Sequence, residues 1–376
     1  MRFSSRFHWD LGPNRIAQRL AGRRRAGLPV LDLTESNPTR AGLAYPPEVI
    51  AALADARSLA YDPQPAGAAE AREAVAAYYG GVPPGRILLT ASTSEGYAYL
   101  FKLLTDPGDE VLAPRPSYPL FEFLAAMESV RVAQYPLFYH GEWSIDFDSL
   151  EGAITPRTRA VVVVNPNNPT GSFLKTEELE RLRGICRAHD LAIISDEVFA
   201  DYGHAPDARR VRTLAHTAGA FAMSGLSKIA GLPQMKLGWI VAPAEAMEKL
   251  ELIADTYLSV STPVQHAASR LLAAGAAVGR QIMERVTANL AHFRGALGAD
   301  SPLRILTVEG GWYAIVQAPR TRSEEQWTLD LLDEDGVLVQ PGYFFDFESE
   351  AYLVVSLLTR PEVFEEGIRR LVARVR

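Results

Sequence analysis

Apolar runs alternate with segments of helical periodicity over residues 86–243, and this alternation constrains the fold more than any other feature. The run at 160–164 is almost entirely β-branched, which is typical of a strand at the centre of a sheet. Helical periodicity is clearest at 97–104 and 176–189. The predicted strands are the runs at 87–89, 110–113, 130–135, 160–164, 191–195, 220–223 and 237–242. Because strands that alternate with helices form parallel sheets covered on both faces, we predict an α/β fold with a mainly parallel central sheet.

The segments on either side of this region have a different character. Residues 1–30 form a polar, partly helical arm that leads into a short strand at 31–33. The other predicted helices lie at 15–24, 47–59, 68–79, 262–274, 278–297 and 361–375, and the other predicted strands at 305–308, 311–317, 337–339 and 352–357. We therefore expect a large domain at 45–260 and a smaller α+β domain built from 1–44 and 261–376.

The composition excludes several classes of protein. A chain of 376 residues with 48% apolar content is large enough for a two-domain enzyme. A formal net charge of -7 gives no basic surface for nucleic acid or for an anionic membrane, and no stretch has the length of a membrane span. The single cysteine, Cys186, allows no intrachain disulfide, and the seven histidines show no spacing of a metal site. We expect a cytoplasmic protein without a metal.

One lysine, Lys228, lies in a loop of small and hydroxylated residues between two predicted core strands. A lysine amine that is partly removed from water has a lowered pKa and can form a Schiff base with a carbonyl group. The alternative is a surface lysine that extends into solvent, as most single lysines do.

Two other strand ends carry polar side chains. Ala-Ser-Thr-Ser at 91–94 opens a predicted helix, where free amides and the helix dipole favour a phosphate, although the same residues would also serve as an ordinary N-cap. Asp196 and Glu197 follow a buried strand at the edge where open α/β sheets bind ligands. Here the alternative is an aspartate that caps the next element.

Three motifs occur together in one order: Asn-Pro-Thr-Gly at 168–171, Asp-Glu-Val at 196–198, and Ser-Lys at 227–228 followed by Leu-Gly-Trp at 237–239. With these motifs the chain resembles the class I/II aminotransferases, enzymes of the aspartate-aminotransferase fold that use pyridoxal 5'-phosphate (PLP). The resemblance extends from residue 31 to the last predicted helix. It implies ping-pong transfer of an amino group between an amino acid and a 2-oxo acid.

The resemblance also assigns roles to individual residues. Lys228 would hold PLP as an aldimine and move the substrate proton, and Asp196 would pair with the pyridinium nitrogen. Asn168 would donate to the phenolic oxygen and contact substrate, and Tyr118 would stack on the cofactor ring. The residues expected around the phosphate are Ser92, Thr93, Ser94, Ser224 and Ser227. Tyr61 falls where the family supplies a tyrosine from the neighbouring subunit, so a homodimer with shared active sites is implied.

The chain departs from the family pattern around the cofactor. Phe199 replaces a tyrosine that donates to the phenolic oxygen, and Tyr202 is a candidate replacement. Lys236 replaces an arginine at the phosphate, which keeps the charge and loses the bidentate geometry. Gly225 stands where a serine is usual, beside Ser224.

A further departure concerns the substrate. The arginine that holds the substrate carboxylate in the family corresponds to Val354, and the small residue of the N-terminal turn is Ser36, followed by Asn37. Either another cation binds the carboxylate, with Arg40 and Arg360 as candidates, or the substrate lacks that group.

Two alternatives to aminotransfer remain at this stage. The same residues also serve a PLP-dependent lyase, decarboxylase or racemase, because the carboxylate anchor largely decides which bond breaks. A DNA-binding regulator with a PLP-binding domain is the less favoured alternative, since about 30 residues before the fold are few for a DNA-binding unit of the usual size and the net charge is acidic. Four aromatic residues are candidates for lining the pocket or simply for the core: Tyr45, Trp143, Trp312 and Tyr343.

Overall fold

The computed structural model describes residues 1–7 and 9–375, so His8 and Arg376, both within the predicted domain ranges, lie outside the described residues. The strands are β1 (Leu31–Asp32), β2 (Ile87–Thr90), β3 (Glu110–Arg115), β4 (Arg131–Tyr139), β5 (Trp143–Ile145), β6 (Thr158–Val164), β7 (Ala192–Asp196), β8 (Ala220–Gly225), β9 (Gly238–Val241), β10 (Arg304–Ile305), β11 (Tyr313–Gln317), β12 (Val337–Leu338), β13 (Gln340–Pro341) and β14 (Tyr352–Ser356). The helices are α1 (Arg15–Arg25), α2 (Glu48–Ala51), α3 (Ala69–Tyr78), α4 (Thr93–Leu104), α5 (Leu120–Met127), α6 (Phe147–Gly152), α7 (Thr176–Ala188), α8 (Leu226–Ile229), α9 (Met247–Tyr257), α10 (Thr262–Ala296), α11 (Glu324–Asp330) and α12 (Pro361–Val375).

The central sheet has eight strands in the order β2-β9-β8-β7-β6-β3-β4-β5. Strands β8, β7, β6, β3 and β4 are parallel, while β9 runs antiparallel to both of its neighbours and β5 runs antiparallel to β4. The prediction of a mainly parallel α/β sheet is therefore confirmed. Because parallel strands end at the same edge, the loops after β3, β6, β7 and β8 meet there.

Two smaller sheets lie outside the central one. Strands β10, β11, β14 and β13 form an antiparallel sheet in that order, and β1 pairs in parallel with β12. Helix α1 packs against α11, so the N-terminal arm joins the C-terminal third. All eight strands of the central sheet fall within the predicted large domain at 45–260. The division into two domains itself stays a prediction.

Two helix predictions were wrong. The expected pair of helices at 262–274 and 278–297 is one continuous helix, α10, of 35 residues. Its Gly275 is buried where α10 crosses the segment after α8, and an added Cβ there would lie 2.9 Å from the Cα of Ala230. The glycine therefore permits close packing and does not end the helix. The expected helix at 47–59 is only α2 and a separate 3₁₀ turn, which Asp55 caps by accepting from Arg57 N.

A buried ionic cluster ties the segment before β11 to the start of α7. Lys175 Nζ donates to both carboxylate oxygens of Glu309, at 2.8 and 3.0 Å, and Arg210 Nε lies 3.3 Å from Glu309 Oε2. Glu309 is 4% exposed and Lys175 is 7% exposed. Such a cluster favours one relative position of these segments, because a separated charge would be left unpaired in the interior.

None of the helices in the described part of the chain is long and apolar enough to cross a membrane.

Candidate active site

Lys228 lies in the single-turn helix α8, directly after β8. Its backbone is fixed by Tyr202, whose hydroxyl donates to the Lys228 carbonyl at 2.6 Å. The half-buried side chain extends over aromatic rings, with Nζ 5.1 Å from the centroid of Trp312 and 5.8 Å from that of Phe199. Burial lowers the pKa of Lys228, and the negative charge of Asp196 opposes this shift. A lysine in these surroundings is more readily neutral, and therefore nucleophilic, than one in water.

Asp196, the last residue of β7, is held from two directions. Its Oδ2 accepts from the hydroxyl of Tyr97 at 3.1 Å, and its Oδ1 accepts from the backbone amide of Val198 at 3.2 Å. Burial raises the pKa of Asp196 to about 6, while these two hydrogen bonds and Lys228 lower it. The carboxyl group is thus mostly ionised at neutral pH despite its surroundings.

The neighbouring Glu197 has a different role from Asp196. It is 1% exposed and accepts from Ser195 Oγ at 2.9 Å, Thr213 Oγ1 at 2.7 Å and Leu214 N at 2.7 Å. Burial raises the pKa of Glu197 to about 7. The two acidic residues therefore have separate interactions. Asp196 interacts with Lys228, and Glu197 joins β7 to the 213–214 loop.

The amino end of α4 lies beside the turn that carries Lys228. Ser92 Oγ accepts from Glu95 N at 3.2 Å, so this serine does cap the helix. Gly238 packs beneath the turn, where an added Cβ would lie 3.1 Å from Thr93 N, and Gly238 pairs with Gly225 across β8 and β9. The amides of the first turn, at Thr93 and Ser94, have no carbonyl partner within the helix and are suited to an anion.

The other predicted phosphate ligands differ in how exposed their side chains are. Ser227 is half-buried in α8, next to Lys228, and Lys236 is exposed two residues before Gly238. Ser224 is fully buried, and its hydroxyl donates to the Glu197 carbonyl at 3.3 Å. The structure therefore does not bring Ser224 to the anion site, because its side chain faces the interior between β7 and β8.

The loops after β3 and β6 are joined by Asn167, which sequence reasoning missed. Its Nδ2 donates to Pro116 O at 2.9 Å, and its Oδ1 accepts from Ser117 Oγ at 2.9 Å. This places Tyr118 and Asn168 on adjoining loops. Tyr118 is 43% exposed, and its pKa is raised by burial and by the charge of Asp196. Asn168 Oδ1 is buried without a hydrogen-bond partner.

The aromatic side chains beneath Lys228 form one packed group. Phe199 and Trp312 lie edge to face at 5.2 Å, and Tyr202 lies edge to face with Trp312, also at 5.2 Å. Since the Tyr202 hydroxyl is bonded to the Lys228 carbonyl, its proton is already used there. Tyr45 instead donates to Gly231 O at 2.7 Å, so of the four aromatic pocket candidates Trp312 is the one against Lys228.

The predicted substrate positions in β14 and the N-terminal turn are not equally accessible. Val354 is fully buried opposite Ile315 in β11, and its expected contact with substrate stays a prediction. Asn37 Oδ1 accepts from Thr39 N at 3.0 Å and caps the 3₁₀ turn Pro38–Arg40. Ser36 and Arg40 are exposed.

The profile of the family described as aminotransferase class I and II matches residues 29–371. The chain belongs to this family. It is similar to the arginine–pyruvate transaminase AruH of Pseudomonas aeruginosa, with 31% identity over 76% of this chain and 73% of that protein. It is also similar to the glutamate–pyruvate aminotransferase AlaA of Haemophilus influenzae, with 25% identity over 92% of this chain and 90% of that protein.

Solved structures with the same fold include an alanine aminotransferase from Pyrococcus furiosus, with a TM-score of 0.89, 23% identity and coverage of 100% of this chain and 99% of that chain. Aspartate aminotransferase from Thermotoga maritima has a TM-score of 0.83 and 21% identity, and 99% of each chain is covered. The predicted aspartate-aminotransferase-like fold is confirmed. The chain is an aminotransferase, an enzyme that moves an amino group between an amino acid and a 2-oxo acid. Nothing in the comparisons favours the lyase, decarboxylase or racemase alternative.

Tyr61, the predicted site residue expected from the neighbouring subunit, is 79% exposed on the surface of this subunit.

Proposed function

We propose that this aminotransferase uses pyridoxal 5'-phosphate, bonded to Lys228. The observation that most supports the proposal is the pairing of a half-buried lysine with an ionised aspartate at the same edge of the sheet. When bound, PLP supplies an aldehyde that condenses with amines and a protonated ring that accepts electrons from the substrate Cα.

The residues present fit this group. Asp196 is an ionised acceptor suited to a protonated ring nitrogen, and the first turn of α4 offers amides to a phosphate. Glycines at 225 and 238 leave no side chain between β8, β9 and that turn. The unpartnered amide oxygen of Asn168 marks a side chain whose hydrogen bonds the protein itself does not complete.

Each side chain then has a distinct task. Lys228, with its lowered pKa, is the base that removes the proton from the substrate Cα and returns it at the adjacent position. Phe199 and Trp312 exclude water from one side of the amine. Tyr118, in the loop after β3, would stack on the ring of the cofactor. Phe199 has no hydroxyl, and the Tyr202 hydroxyl already donates to the Lys228 carbonyl. We therefore propose that Asn168 donates the hydrogen bond to the phenolic oxygen of PLP.

For the substrate carboxylate we propose Arg40. Val354 is covered, whereas Arg40 is exposed at the end of the N-terminal turn. The other candidate, Arg360, packs over Gly42. Arg40→Ala should raise the KM for the amino donor about 10-fold, as expected for a lost charged hydrogen bond, and Arg360→Ala should leave it near the wild-type value. An unchanged KM in Arg40→Ala excludes this residue.

We further propose that the enzyme is a cytoplasmic homodimer with shared active sites, in which Tyr61 reaches the phosphate of the neighbouring subunit. The free, buried Cys186 and the high exposure of Tyr61 support this. The acidic net charge of -7 gives no support to a nucleic-acid partner.

The decisive experiment is a half-reaction followed by absorption spectroscopy. Purified protein loaded with PLP is mixed with single amino acids in the absence of a 2-oxo acid. Conversion of the cofactor to its amine form, with one equivalent of 2-oxo acid released, is the expected result. The Lys228→Ala variant should lose this conversion by about 100-fold or more, and Lys249→Ala, at an exposed lysine of α9, should retain it. Release of ammonia, carbon dioxide or a racemised amino acid would instead establish the alternative chemistry.

A further inference from the structure

The contact between Tyr97 and Asp196 connects the two parts of the site. Tyr97 lies in the second turn of α4, the helix whose first turn faces the proposed phosphate position. The side chain is 3% exposed, and its ring packs edge to face against Phe121 at 5.4 Å. Its hydroxyl donates to Asp196 Oδ2 at 3.1 Å.

The hydroxyl of Tyr97 is a permanent donor. Burial holds the pKa of Tyr97 well above its usual value, and the negative charge of Asp196 raises it further. The phenol therefore keeps its proton at every physiological pH. A hydrogen bond donated to the ionised form of a carboxyl group stabilises that form, and so opposes the effect of burial on Asp196.

Four titratable groups face Asp196 from the surrounding elements. Tyr97 comes from α4, Lys228 from α8, Tyr118 from the loop after β3, and Glu197 is adjacent in the chain. Among them Lys228 is the one cation. Once its amine is bonded to a carbonyl group, as the proposed function requires, the hydrogen bonds that hold the carboxylate within the described part of the chain are those from Tyr97 and the amide of Val198.

We propose that Tyr97 is a positioning residue for amino-group transfer, whose hydroxyl orients Asp196 and keeps its carboxylate ionised while Lys228 is engaged. This inference rests on the proposed function. It assigns α4 two tasks, with the first turn holding an anion and the second turn controlling the aspartate.

The test measures the dissociation constant of PLP for the cofactor-free chain between about pH 5 and about pH 9. In the wild type the affinity should fall as Asp196 becomes protonated, near pH 6. In Tyr97→Phe, which keeps the ring and removes the donor, the fall should begin about one pH unit higher. Affinity at neutral pH should then be several-fold weaker, and kcat should decrease more than the KM for the amino donor changes.

Two further variants separate this role from a structural one. Tyr99→Phe removes a hydroxyl from the same helix that interacts with Ser259 and Glu95, and its pH profile should match the wild type. Incorporation of 3-fluorotyrosine at position 97 strengthens the donor, and should move the profile to lower pH. This variant preserves the contact, so it remains informative if Tyr97→Phe fails to fold.

The results distinguish the two proposals. Normal binding of PLP by the wild type, together with an unshifted profile in Tyr97→Phe or with 3-fluorotyrosine at position 97, would overturn the role of Tyr97 alone. An equal shift in Tyr99→Phe would do the same. A wild-type chain that binds no PLP at any pH would overturn the proposed function.

Discussion

Asp196 and Glu197 are adjacent, and burial raises the pKa of both, but their hydrogen bonds differ in origin. Asp196 is bonded by one amide and by a hydroxyl 99 residues away in the chain. Glu197 accepts three hydrogen bonds from residues within 17 positions of it. The position of an acidic pair at a strand end is readable from sequence. Which member faces the site depends on side-chain direction at the end of β7, and this follows only from the fold.

The same limit explains which site residues could be predicted. Lys228, Asp196 and the 92–94 turn are predictable, because each follows an apolar run that ends at the ligand-binding edge of the sheet. Tyr97 and Asn167 were missed, because their partners lie 99 and about 50 residues away and no local pattern marks them. A tyrosine on the buried face of a helix reads as core unless the position of the next strand end is known.

Glu197 gives stability an unusual dependence on pH. Its folded-state pKa, about 7, lies above the ordinary value of 4.5, so its contribution is complete below about pH 4.5 and is lost as pH rises through 7. Glu197→Gln keeps the volume and the acceptor oxygen for Ser195 and Leu214, and its amide can donate to Thr213. We expect the variant and the wild type to be similarly stable at pH 5. At pH 8 the variant should be more stable by about 2–3 kcal/mol, at about 1.4 kcal/mol per pH unit.

Urea unfolding of both proteins at several pH values measures this difference. Parallel plots of the free energy of unfolding against pH would show that Glu197 does not titrate in this range.

At the scale of elements, apolar runs of the central sheet were predicted well and helix boundaries less well. The predicted strand at 160–164 became Thr158–Val164, because β-branched residues buried on both faces suit a central strand and little else. Helix α10 was predicted as two helices because its middle contains glycine. Glycine lowers helix propensity by about 1 kcal/mol, and tertiary packing outweighs that cost here. Helices α5, α6, α8, α9 and α11 were missed.

Two glycine-to-alanine substitutions test this explanation with opposite signs. In Gly275→Ala the new Cβ would lie 2.9 Å from the Cα of Ala230, two residues after Lys228, so we expect a loss of about 1–3 kcal/mol of stability and a lower kcat. Gly184 lies in the middle of α7 with no atom within 4 Å of an added Cβ. Gly184→Ala should therefore gain about 0.5–1 kcal/mol.

Urea unfolding and steady-state kinetics of both variants provide the measurements. A stabilising effect of Gly275→Ala would mean that α10 and the segment after α8 can separate at little cost.

At the scale of the whole molecule, the cluster around Glu309 joins the segment before β11 to the start of α7 and to Arg210. Glu309→Gln leaves the buried Lys175 without its paired carboxylate, and we expect a cost of about 3–5 kcal/mol. Arg209 is the matched control, because it also pairs with carboxylates but its side chain is 58% exposed. Arg209→Gln should cost less than about 1 kcal/mol. Similar costs for both variants, measured by urea unfolding, would rule out a special role for the buried cluster.

Exposed apolar side chains near Tyr61 in the sequence support the proposed homodimer. Leu59 and Tyr61 are 92% and 79% exposed, and Ile50 is 66% exposed on α2. Neighbouring exposed apolar side chains of this kind mark interaction surfaces. We therefore expect sedimentation equilibrium to give about twice the chain mass of 41.2 kDa. A mass of one chain at micromolar concentration would contradict the shared active site.

If Tyr61 of one subunit reaches the phosphate held by its partner, removal of its hydroxyl should weaken cofactor binding without changing the mass. Tyr61→Phe should raise the dissociation constant of PLP about 10-fold, since a hydrogen bond to a charged group contributes about 1.5 kcal/mol or more. Tyr257→Phe is the matched control. This tyrosine is exposed as well, at 51%, but it lies in α9 against Tyr99 and Lys102. Its dissociation constant should stay at the wild-type value. Equal affinities in both variants would place Tyr61 outside the site and leave the phosphate to α4, Ser227 and Lys236.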